Sequence, residues 1–416
     1  MNRVDTLVIG GGQAGLAMSR CLSDRSIDHV VLERGRVAER WRTERWDSLR
    51  LLTPNWQTRL PGFQYHGPEP DGYMPMTELV GFFERYAASF RSPIELGTTV
   101  LAVEREGPHF RVETSRGNWH ACHVVIATAY SDRPFVPPQA QHLSRRIVQI
   151  VPTQYRNPAQ LPPGGVLVVG ASATGVQLAD EIHASGRPVT LAVGRHQRLP
   201  RTYRGRDILW WLDAMGVFDA TTEDVFDVHT SQSQPSLQLV GRAGRSLDVA
   251  ILQQRGVKVL GRLIAAEYEH VLFDDDLVAT TTASDVKLAQ VLQRIDAFIS
   301  STPVNAVAPR EPFEATWPSV LGTAKTTVDL RAAGIETIMW ATGFARRYPW
   351  LKVPVFDEHG EIRHRGGVTA VPGLFVLGMH FQRSRKSAFI DGVGNDAAFL
   401  ADRIVSRTAF DAAAAS

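Results

Sequence analysis

Short apolar runs that end in glycine-rich turns recur along the chain and predict its secondary structure. The first begins at Thr6 as TLVIGGGQAGLAMSRCLSD and continues to HVVLERG. The second begins at Val166 as VLVVGASATGVQLADEIHASG and continues to VTLAVGR. Each predicts a strand, a tight turn, a helix and a second strand, which together form a βαβ unit. Because the two units follow one design, they predict an internal repeat.

The remaining patterns predict the elements around these two units. Two more buried strands ending at glycine are predicted at residues 336–344 and 373–379, followed by a helix over residues 394–407 and a frayed tail. Residues 94–129 predict short alternating strands, and prolines after residues 133 and 157 mark linkers. Residues 285–300 predict an amphipathic helix, and residues 206–218 a second helix.

The first glycine-rich turn carries the pattern of a dinucleotide site. Gly10, Gly12 and Gly15 form GxGxxG between a strand and a helix. One glycine makes the turn, one lets the backbone approach a pyrophosphate, and one lets the helix pack on the strand. The helix N-terminus offers free N–H groups to phosphates. Glu33 ends the second strand, where a carboxylate can accept hydrogen bonds from ribose hydroxyls. The alternative is a glycine-rich turn without a ligand.

The second glycine-rich turn repeats this pattern with one change. Gly170 and Gly175 are present, but Ser172 replaces the middle glycine and hinders the closest approach of a pyrophosphate. Arg195 follows the second strand, where an arginine can bind the 2′-phosphate of NADPH. Four more arginines follow within a short stretch, and their alternative interpretation is a solvated basic loop: Arg198, Arg201, Arg204 and Arg206.

These units predict an α/β protein with two Rossmann-like dinucleotide-binding domains, in the three-layer β/β/α arrangement of the FAD/NAD(P)-binding fold. We expect a discontinuous FAD-binding domain made of residues 1–150 and 326–410. An NADP-binding domain with a helical insertion is expected over residues 160–325, and a flexible tail over residues 411–416.

Composition favours a globular enzyme over a nucleic-acid-binding protein or a disulfide reductase. Of 416 residues, 44% are apolar and 21% are charged, as in a globular enzyme, and a formal net charge of +2 gives no support to a nucleic-acid partner. The two cysteines, Cys21 and Cys122, are too far apart for a CxxC pair, so the dithiol of a disulfide reductase is absent. The segment HACH, with His120 and His123, suggests packing at a strand edge, and no metal is expected.

Targeting signals are also missing from the sequence. No uncharged apolar stretch reaches the roughly 18–20 residues of a membrane span. The first apolar run leads into glycines and predicts a strand, unlike the apolar core of a signal peptide. We therefore expect a cytoplasmic location and no membrane partner.

Taken together, these residues resemble the class B flavin monooxygenases, which include flavin-containing monooxygenases, YUCCA enzymes and Baeyer–Villiger enzymes. The resemblance spans about residues 4–407. It rests on the first GxGxxG, WRTERWDSLRLLTPNWQTRLPGF, the second glycine-rich unit, WATGF and GLFVLGM. It implies that FAD is contacted by Gly10, Gly12, Gly15, Glu33, Trp41, Arg42, Ala127 and Gly378. It likewise implies that NADPH is contacted by Gly170, Ser172, Gly175, Arg195, Thr342 and Gly343.

The sequence departs from this family at one motif. The family pattern FxGxxxHxxxY/F, aligned on Tyr155, falls on Arg145, Ile147 and Val151, so only the aromatic position is kept. With Ser172, these changes cluster where NADPH and the domain hinge are expected.

Three hypotheses follow for the function. The first is an NADPH-driven monooxygenase that transfers one oxygen atom from O2 to a small molecule through a flavin hydroperoxide, as the resemblance implies. The second is a flavin oxidase or dehydrogenase that oxidises its substrate directly and has a decayed NADPH site. The third is a non-catalytic FAD-binding module.

Candidate catalytic residues and partners are few. Asn55 is the candidate catalytic residue, since its amide could donate a hydrogen bond near the flavin; the alternatives are a turn residue after Pro54 and an alignment of the family asparagine nearer Leu52. Trp210 and Trp211 are expected to cover a helix face. The expected partners are a small-molecule substrate and O2, with a homodimer as the candidate assembly.

Overall fold

The computed structural model describes residues 2–131, 133–302 and 324–415, apart from the side chains of residue 230 and residues 409–415. Short 3-10 turns occur at Asn55–Gln57, Pro138–His142 and Pro158–Gln160. The α-helices are α1 (Gln13–Ser23), α2 (Glu39–Thr43), α3 (Met76–Ser89), α4 (Ala173–Ala184), α5 (Ile208–Ala214), α6 (Val228–Gln232), α7 (Val249–Gln254), α8 (Leu277–Ser301) and α9 (Val393–Ala415).

The strands are short except for those that carry the two central sheets. They are β1 (Asn2–Ile9), β2 (His29–Leu32), β3 (Arg59–Leu60), β4 (Phe63–Gln64), β5 (Ile94–Glu95), β6 (Val100–Glu106), β7 (His109–Thr114), β8 (Gly117–Ile126), β9 (Arg133–Pro134), β10 (Val148–Ile150), β11 (Gly165–Val169), β12 (Val189–Ala192), β13 (Gln197–Arg198), β14 (Thr202–Tyr203), β15 (Arg206–Asp207), β16 (Leu237–Gln238), β17 (Lys258–Leu260), β18 (Leu263–Glu267), β19 (His270–Phe273), β20 (Thr326–Asp329), β21 (Ile335–Trp340), β22 (Phe344–Ala345), β23 (His364–Arg365), β24 (Val368–Thr369) and β25 (Leu374–Val376).

The first sheet has β1 at its centre. Its order among the described strands is β23-β24-β25-β8-β1-β2-β5, and β6 and β7 extend from β8 as an antiparallel meander. Strands β25, β8, β1, β2 and β5 run parallel. Because neighbouring side chains on a strand point to opposite faces, Val8 packs towards the helices while Leu7 and Ile9 pack towards the meander. A parallel sheet covered on both faces needs such continuous apolar strands.

Three helices cover one face of this sheet. Leu16 of α1, Phe83 of α3 and Leu400 of α9 are fully buried in one core with Val8 and Val125. Helix α1 also packs directly along α9, which places the chain's last helix beside its first. The layers are therefore helices, parallel sheet and antiparallel meander, which confirms the predicted β/β/α arrangement.

The second sheet repeats this plan. Its order is β10-β21-β11-β12-β17, with every pairing parallel. Val166 and Val168 pack towards α4 and α7, whereas Leu167 and Val169 pack towards the three-stranded sheet of β18, β19 and β20. The two predicted Rossmann-like domains are therefore present.

The strands of the second sheet correct the predicted assignment of two segments. Strands β10, β20 and β21 fall within residues 1–150 and 326–410, which were expected in the first domain, yet all three belong to the second. Strand β21 lies between β10 and β11, because its apolar residues Ile338 and Trp340 complete the core beside Leu167. The chain therefore enters the second domain at β10 and leaves it at β21, and these two strands are parallel neighbours.

Other elements agree with or refine the predictions. Helix α9 extends beyond residues 394–407 to Ala415, and residues 285–300 lie within α8. His120, Cys122 and His123 lie in β8, which is paired on both sides, so they occupy the sheet interior and not its edge. Within the described ranges, no three His, Cys, Asp or Glu side chains are grouped to hold a metal. Nor is any described helix long and apolar enough to span a membrane.

A buried carboxyl in the first turn of α9 gives a test of this packing. Asp396 is 1% exposed, and burial raises its pKa to about 6, although a hydrogen bond with Ser387 and the charge of Arg383 oppose the rise. A raised pKa means that the folded protein holds the proton more tightly than the unfolded chain. The folded protein therefore loses stability as the pH rises from about 4 to about 6.

We expect Asp396→Asn to remove this loss. The variant should gain stability over the wild type as the pH rises through 6, approaching roughly 3 kcal/mol at neutral pH for a shift of this size. Urea denaturation of both proteins between about pH 4 and pH 8 measures the difference. Stability curves that stay parallel over this range would contradict the prediction.

Candidate functional site

The first dinucleotide loop joins β1 to α1, and its glycines have distinct structural roles. Gly10 has φ +114°, and a Cβ there would lie 2.6 Å from the carbonyl oxygen of Ala127. A Cβ on Gly15 would overlap the carbonyl oxygen of Gly10, so this glycine allows the helix to cross the strand closely. A Cβ on Gly12 would meet nothing within 4 Å. Gly12 therefore faces open space, where the loop can receive a phosphate.

Glu33 holds the loop from the end of β2. Its carboxylate is buried and accepts hydrogen bonds from the Gly11 N–H at 2.6 Å and the Gly35 N–H at 2.8 Å. The Ala38 N–H donates to the Gly11 carbonyl oxygen at 3.2 Å. The peptides on both sides of Gly11 are therefore fixed in direction before any ligand binds.

A cavity of about 720 Å³ opens from this loop. It lies between the carboxyl ends of β1 and β2, helix α2, residues 51–53 and the segment around Gly378. Its walls include the predicted FAD residues Gly10, Gly12, Glu33, Trp41, Ala127 and Gly378. A cavity at the carboxyl ends of parallel strands is where such folds bind nucleotides.

Three predicted residues lie outside this cavity wall. Gly15 lies behind the loop, where it packs α1 on β1. Arg42 pairs with Glu84 of α3 at 2.6 Å. Asn55 is buried in a 3-10 turn, and one of its two amide N–H groups donates to the Glu69 carbonyl oxygen at 2.9 Å within the protein.

The structure adds wall residues that no motif identified. Arg45 lies in the wall with its guanidinium 5.0 Å from the ring centre of Trp41. Burial and the neighbouring Arg40 lower the pKa of Arg45 to about 10, which still leaves it charged at neutral pH. At another part of the wall, Trp350 lies beside Val100. The Val103 N–H donates to the Trp350 carbonyl oxygen, so only the tertiary fold brings that segment here.

These features fit a flavin dinucleotide. Gly12 and the N-terminus of α1 present free space and backbone N–H groups to a pyrophosphate. Glu33 offers carboxylate oxygens to a ribose, and the charged Arg45 offsets phosphate charge. Opposite the loop, Ala388 and Ile390 line the cavity, and the Gln13 amide donates to the Ala388 carbonyl oxygen at 2.9 Å.

The second dinucleotide loop has the same backbone geometry as the first. Gly170 has φ +106° and lies against the carbonyl oxygen of Ala341, as Gly10 lies against that of Ala127. A Cβ on Gly175 would overlap the Gly170 carbonyl oxygen. Ser172 has φ −77° and ψ −175°, close to the −89° and −169° of Gly12. Serine therefore occupies this position without backbone strain. Its side chain extends into the space that is empty beside Gly12 in the first loop.

The end of β12 differs from the end of β2. The Gly10 N–H bonds to the Leu32 carbonyl oxygen and the Gly170 N–H to that of Ala192, so Val193 occupies the position of Glu33. The second loop therefore has a buried apolar side chain where the first has a buried carboxylate. Two residues further on, Arg195 is exposed, and its side chain makes no hydrogen bond or ion pair with any described residue.

Two of the other four arginines of this stretch correct the interpretation as a solvated basic loop, while Arg206 is exposed as that interpretation expects. Arg198 is 4% exposed and pairs with Asp248 and Asp285 at 3.0 Å and 2.6 Å. Arg201 is fully buried and pairs with Asp207 at 2.5 Å. These two arginines neither lie in a solvated loop nor reach a phosphate, because charged side chains at such depth need carboxylate partners.

The hinge between the domains contains the remaining predicted residues. Thr342 and Gly343 follow β21 and bond to Phe135, the first through its hydroxyl at 2.5 Å and the second through its carbonyl oxygen at 2.8 Å. Beside them, β9 and β22 pair as a two-stranded crossing. Thr342 and Gly343 therefore adjoin the second loop and are also tied to the linker.

The fingerprint positions have structural roles. Ile147 is buried in the core beneath the second sheet, and Val151 packs partly against it. Tyr155 is fully buried, and its hydroxyl donates to Glu181 of α4 at 2.9 Å. Arg145 is exposed.

Comparisons with known proteins agree with this geometry. The family described as pyridine nucleotide-disulphide oxidoreductase matches residues 7–212. An uncharacterized CzcO-like oxidoreductase of Geobacillus kaustophilus is 33% identical over 406 residues, covering 97% of this chain and 99% of that protein. A probable indole-3-pyruvate monooxygenase of Arabidopsis thaliana, YUCCA1, is 27% identical over 207 residues, which are 48% and 49% of the two chains.

Solved structures show the same fold. A flavin-containing monooxygenase from Stenotrophomonas maltophilia superposes with a TM-score of 0.69 at 17% identity, covering 98% of this chain and all of that one. Two loops of the dinucleotide-binding type in one chain, with a cavity of about 720 Å³ at the first, fit the oxidoreductase class to which the full-length relatives are assigned. Within that class, the chain belongs to the CzcO-like oxidoreductase family.

Two glycines of the first loop allow a matched test of the flavin site. Gly12→Ala should leave the unfolding temperature of the flavin-free protein near the wild-type value but weaken FAD binding about tenfold or more, because its Cβ points into the phosphate space. Gly15→Ala should lower the unfolding temperature itself, because its Cβ overlaps the Gly10 carbonyl. Thermal unfolding with and without FAD, together with flavin fluorescence titration, separates these effects. Equal behaviour of the two variants would contradict the assignment.

Proposed function

We propose that the protein is an NADPH-driven, FAD-dependent monooxygenase that acts on a small molecule. The overall reaction consumes NADPH, a proton and O2, and yields NADP⁺, water and a product that carries one added oxygen atom. The observation that carries the proposal is the repetition of one loop geometry in two domains, with a ribose acid at the first loop and an exposed arginine at the second.

The first domain supports a role for FAD. When bound there, FAD would accept a hydride from NADPH and supply the activation of O2. The protein's part is to hold the dinucleotide through the Gly12 loop, Glu33 and Arg45, and to close the cavity. The bidentate pair of Arg59 with Asp391, at 2.7 Å and 2.8 Å, anchors the segment that lines the cavity at Ile390.

An apolar part of the cavity wall supports the proposed oxygenase function. Phe389 lies in the cavity wall and packs edge-on against Phe218, with ring centres 5.5 Å apart. Behind this pair lies an apolar cluster that includes the fully buried Trp211. An oxygenase needs such a dry wall, since water and stray protons divert reduced flavin towards release of hydrogen peroxide.

The second domain supports NADPH as the reductant. Val193 gives no acceptor to the adenosine ribose of NADH, and Arg195 has a guanidinium free to bind a 2′-phosphate in two-point fashion. The relative YUCCA1, described as a probable monooxygenase, resembles about half of the chain.

Disulfide chemistry receives no support from the cysteines. Cys21 is buried in α1, and burial raises its pKa to about 11, so it stays a protonated thiol at neutral pH. The only other cysteine in the sequence, Cys122, lies in β8.

Direct oxidation of the substrate by the flavin is the second candidate. The observation in its favour is that Ser172 fills part of the space that the first loop leaves open. Anaerobic stopped-flow reduction of the FAD-loaded protein by NADPH, with NADH in parallel, separates the two functions. Fast bleaching by NADPH supports the monooxygenase. Bleaching by substrates alone, with neither nucleotide active at millimolar concentration, replaces it with direct oxidation.

Substitution of Arg195 tests the choice of nucleotide. In Arg195→Ala, the KM for NADPH should rise about tenfold or more, with the rate of flavin reduction at saturation nearly unchanged, because one charge-assisted phosphate contact is lost. The KM for NADH should not change. The matched control is Arg206→Ala, an exposed arginine of the same stretch whose guanidinium stacks over Trp210. Equal losses for NADPH and NADH would rule out a 2′-phosphate contact.

A further inference from the structure

Outside the dinucleotide motif, one buried side chain reaches the second loop. Gln238 of β16 is fully buried, and its amide nitrogen donates to the Ala171 carbonyl oxygen at 2.6 Å. Ala171 is the residue between Gly170 and Ser172. The bond joins positions 67 residues apart in the sequence.

The first loop has an equivalent bond with a different donor. There the Ala38 backbone N–H donates to the Gly11 carbonyl oxygen at 3.2 Å. Gly11 and Ala171 occupy the same position, since Gly10 and Gly170 make the same backbone bonds to β2 and β12. In the first domain a backbone N–H after β2 donates this hydrogen bond, whereas in the second domain the Gln238 side chain donates it.

This bond sets the direction of a neighbouring N–H group. In a trans peptide the C=O and N–H bonds point in opposite directions, and the described chain has no cis peptide. A donor that holds the Ala171 carbonyl therefore also fixes the Ser172 N–H. That N–H begins α4, where helix N–H groups turn towards a bound phosphate.

A network of charges holds Gln238 in place. Strand β16 pairs with β13, so that Gln238 lies opposite Arg198. Arg198 is clamped by Asp248 and Asp285, and its backbone N–H donates to Ser284 of α8 at 3.2 Å. Arg198 therefore supports the loop indirectly. It lies opposite Gln238, and Gln238 donates to the loop at Ala171.

A purely structural role would not require glutamine. The Gln238 side-chain oxygen is buried and has no hydrogen-bond partner among the described residues. A buried, unpaired acceptor costs folding free energy, so glutamine is an unfavourable choice for packing alone. What the amide adds at this position is the hydrogen bond from its nitrogen to the Ala171 carbonyl oxygen.

We propose that Gln238 is a positioning residue for NADPH: it orients the Ala171–Ser172 peptide so that the Ser172 N–H meets the pyrophosphate. This inference rests on the proposed use of NADPH at the second loop. It also accounts for how a loop with serine at the middle glycine position keeps a phosphate-binding geometry.

Calorimetric titration with NADP⁺ of the FAD-loaded wild type, Gln238→Leu and Gln238→Glu tests the proposal. Loss of one orienting hydrogen bond should raise the Kd of Gln238→Leu about tenfold, with an FAD content equal to that of the wild type. The unfolding temperature should change little, because leucine removes one buried unpaired acceptor, the Gln238 side-chain oxygen, and leaves another, the Ala171 carbonyl oxygen. Gln238→Glu should bind more weakly still, because its carboxylate repels the Ala171 carbonyl. The rate of flavin reduction at saturating NADPH should stay near that of the wild type for Gln238→Leu.

The matched control is Gln197→Leu, in the same two-stranded sheet. Its amide donates to Gln234 at 3.3 Å and does not reach the loop, so its Kd should equal that of the wild type. An unchanged Kd in Gln238→Leu, while the wild type binds NADP⁺, overturns this inference and leaves the proposed function standing. A wild type that binds no NADP⁺ at millimolar concentration overturns both.

Discussion

The close crossing of helix over strand at two glycines is the constraint on which the rest of the structure depends. At Gly15 and Gly175 a single added carbon would overlap the carbonyl of Gly10 or Gly170. Because both positions carry only a hydrogen atom, α1 and α4 can begin close to the carboxyl ends of β1 and β11. The features expected of a dinucleotide site follow from that placement: the free helix N–H groups, the open space at Gly12, and the strand ends that place Glu33 and Arg195 beside the two loops.

The two domains are joined by polar contacts that lead from one dinucleotide site towards the other. Arg156 donates to the Arg45 carbonyl oxygen at 2.6 Å, so the segment that precedes the second domain grips a wall residue of the flavin cavity. Next to it, Tyr155 and Ser48 both donate to Glu181 of α4. Helix α4, whose N-terminus begins the second loop, is thereby fixed to the first domain, so a hydride donor held at that loop and the flavin would share one rigid frame.

Arginines of one short stretch of the chain differ in burial and in their partners. Arg198 and Arg201 are buried, and each forms an ion pair with a carboxylate. The ion pair of Arg198 holds β13, which pairs with the strand that carries Gln238. Arg195, at most six residues away from either, is exposed and free to bind a ligand. Their sequence neighbourhood is uniform, yet burial separates arginines held in ion pairs from one whose side chain is exposed.

The sequence by itself determined the two βαβ units, the layered fold and the geometry of the first glycine-rich loop, because these depend on local alternation and on glycines whose role is set within a few residues. Tertiary structure alone decided the rest. Pairing of β21 with β10 and β11 moved a predicted first-domain strand into the second, since register depends on partners distant in the chain. The position of Trp350 in the cavity wall and the bond of Gln238 to Ala171 likewise join residues that no local pattern connects, because such contacts exist only once the sheets have formed.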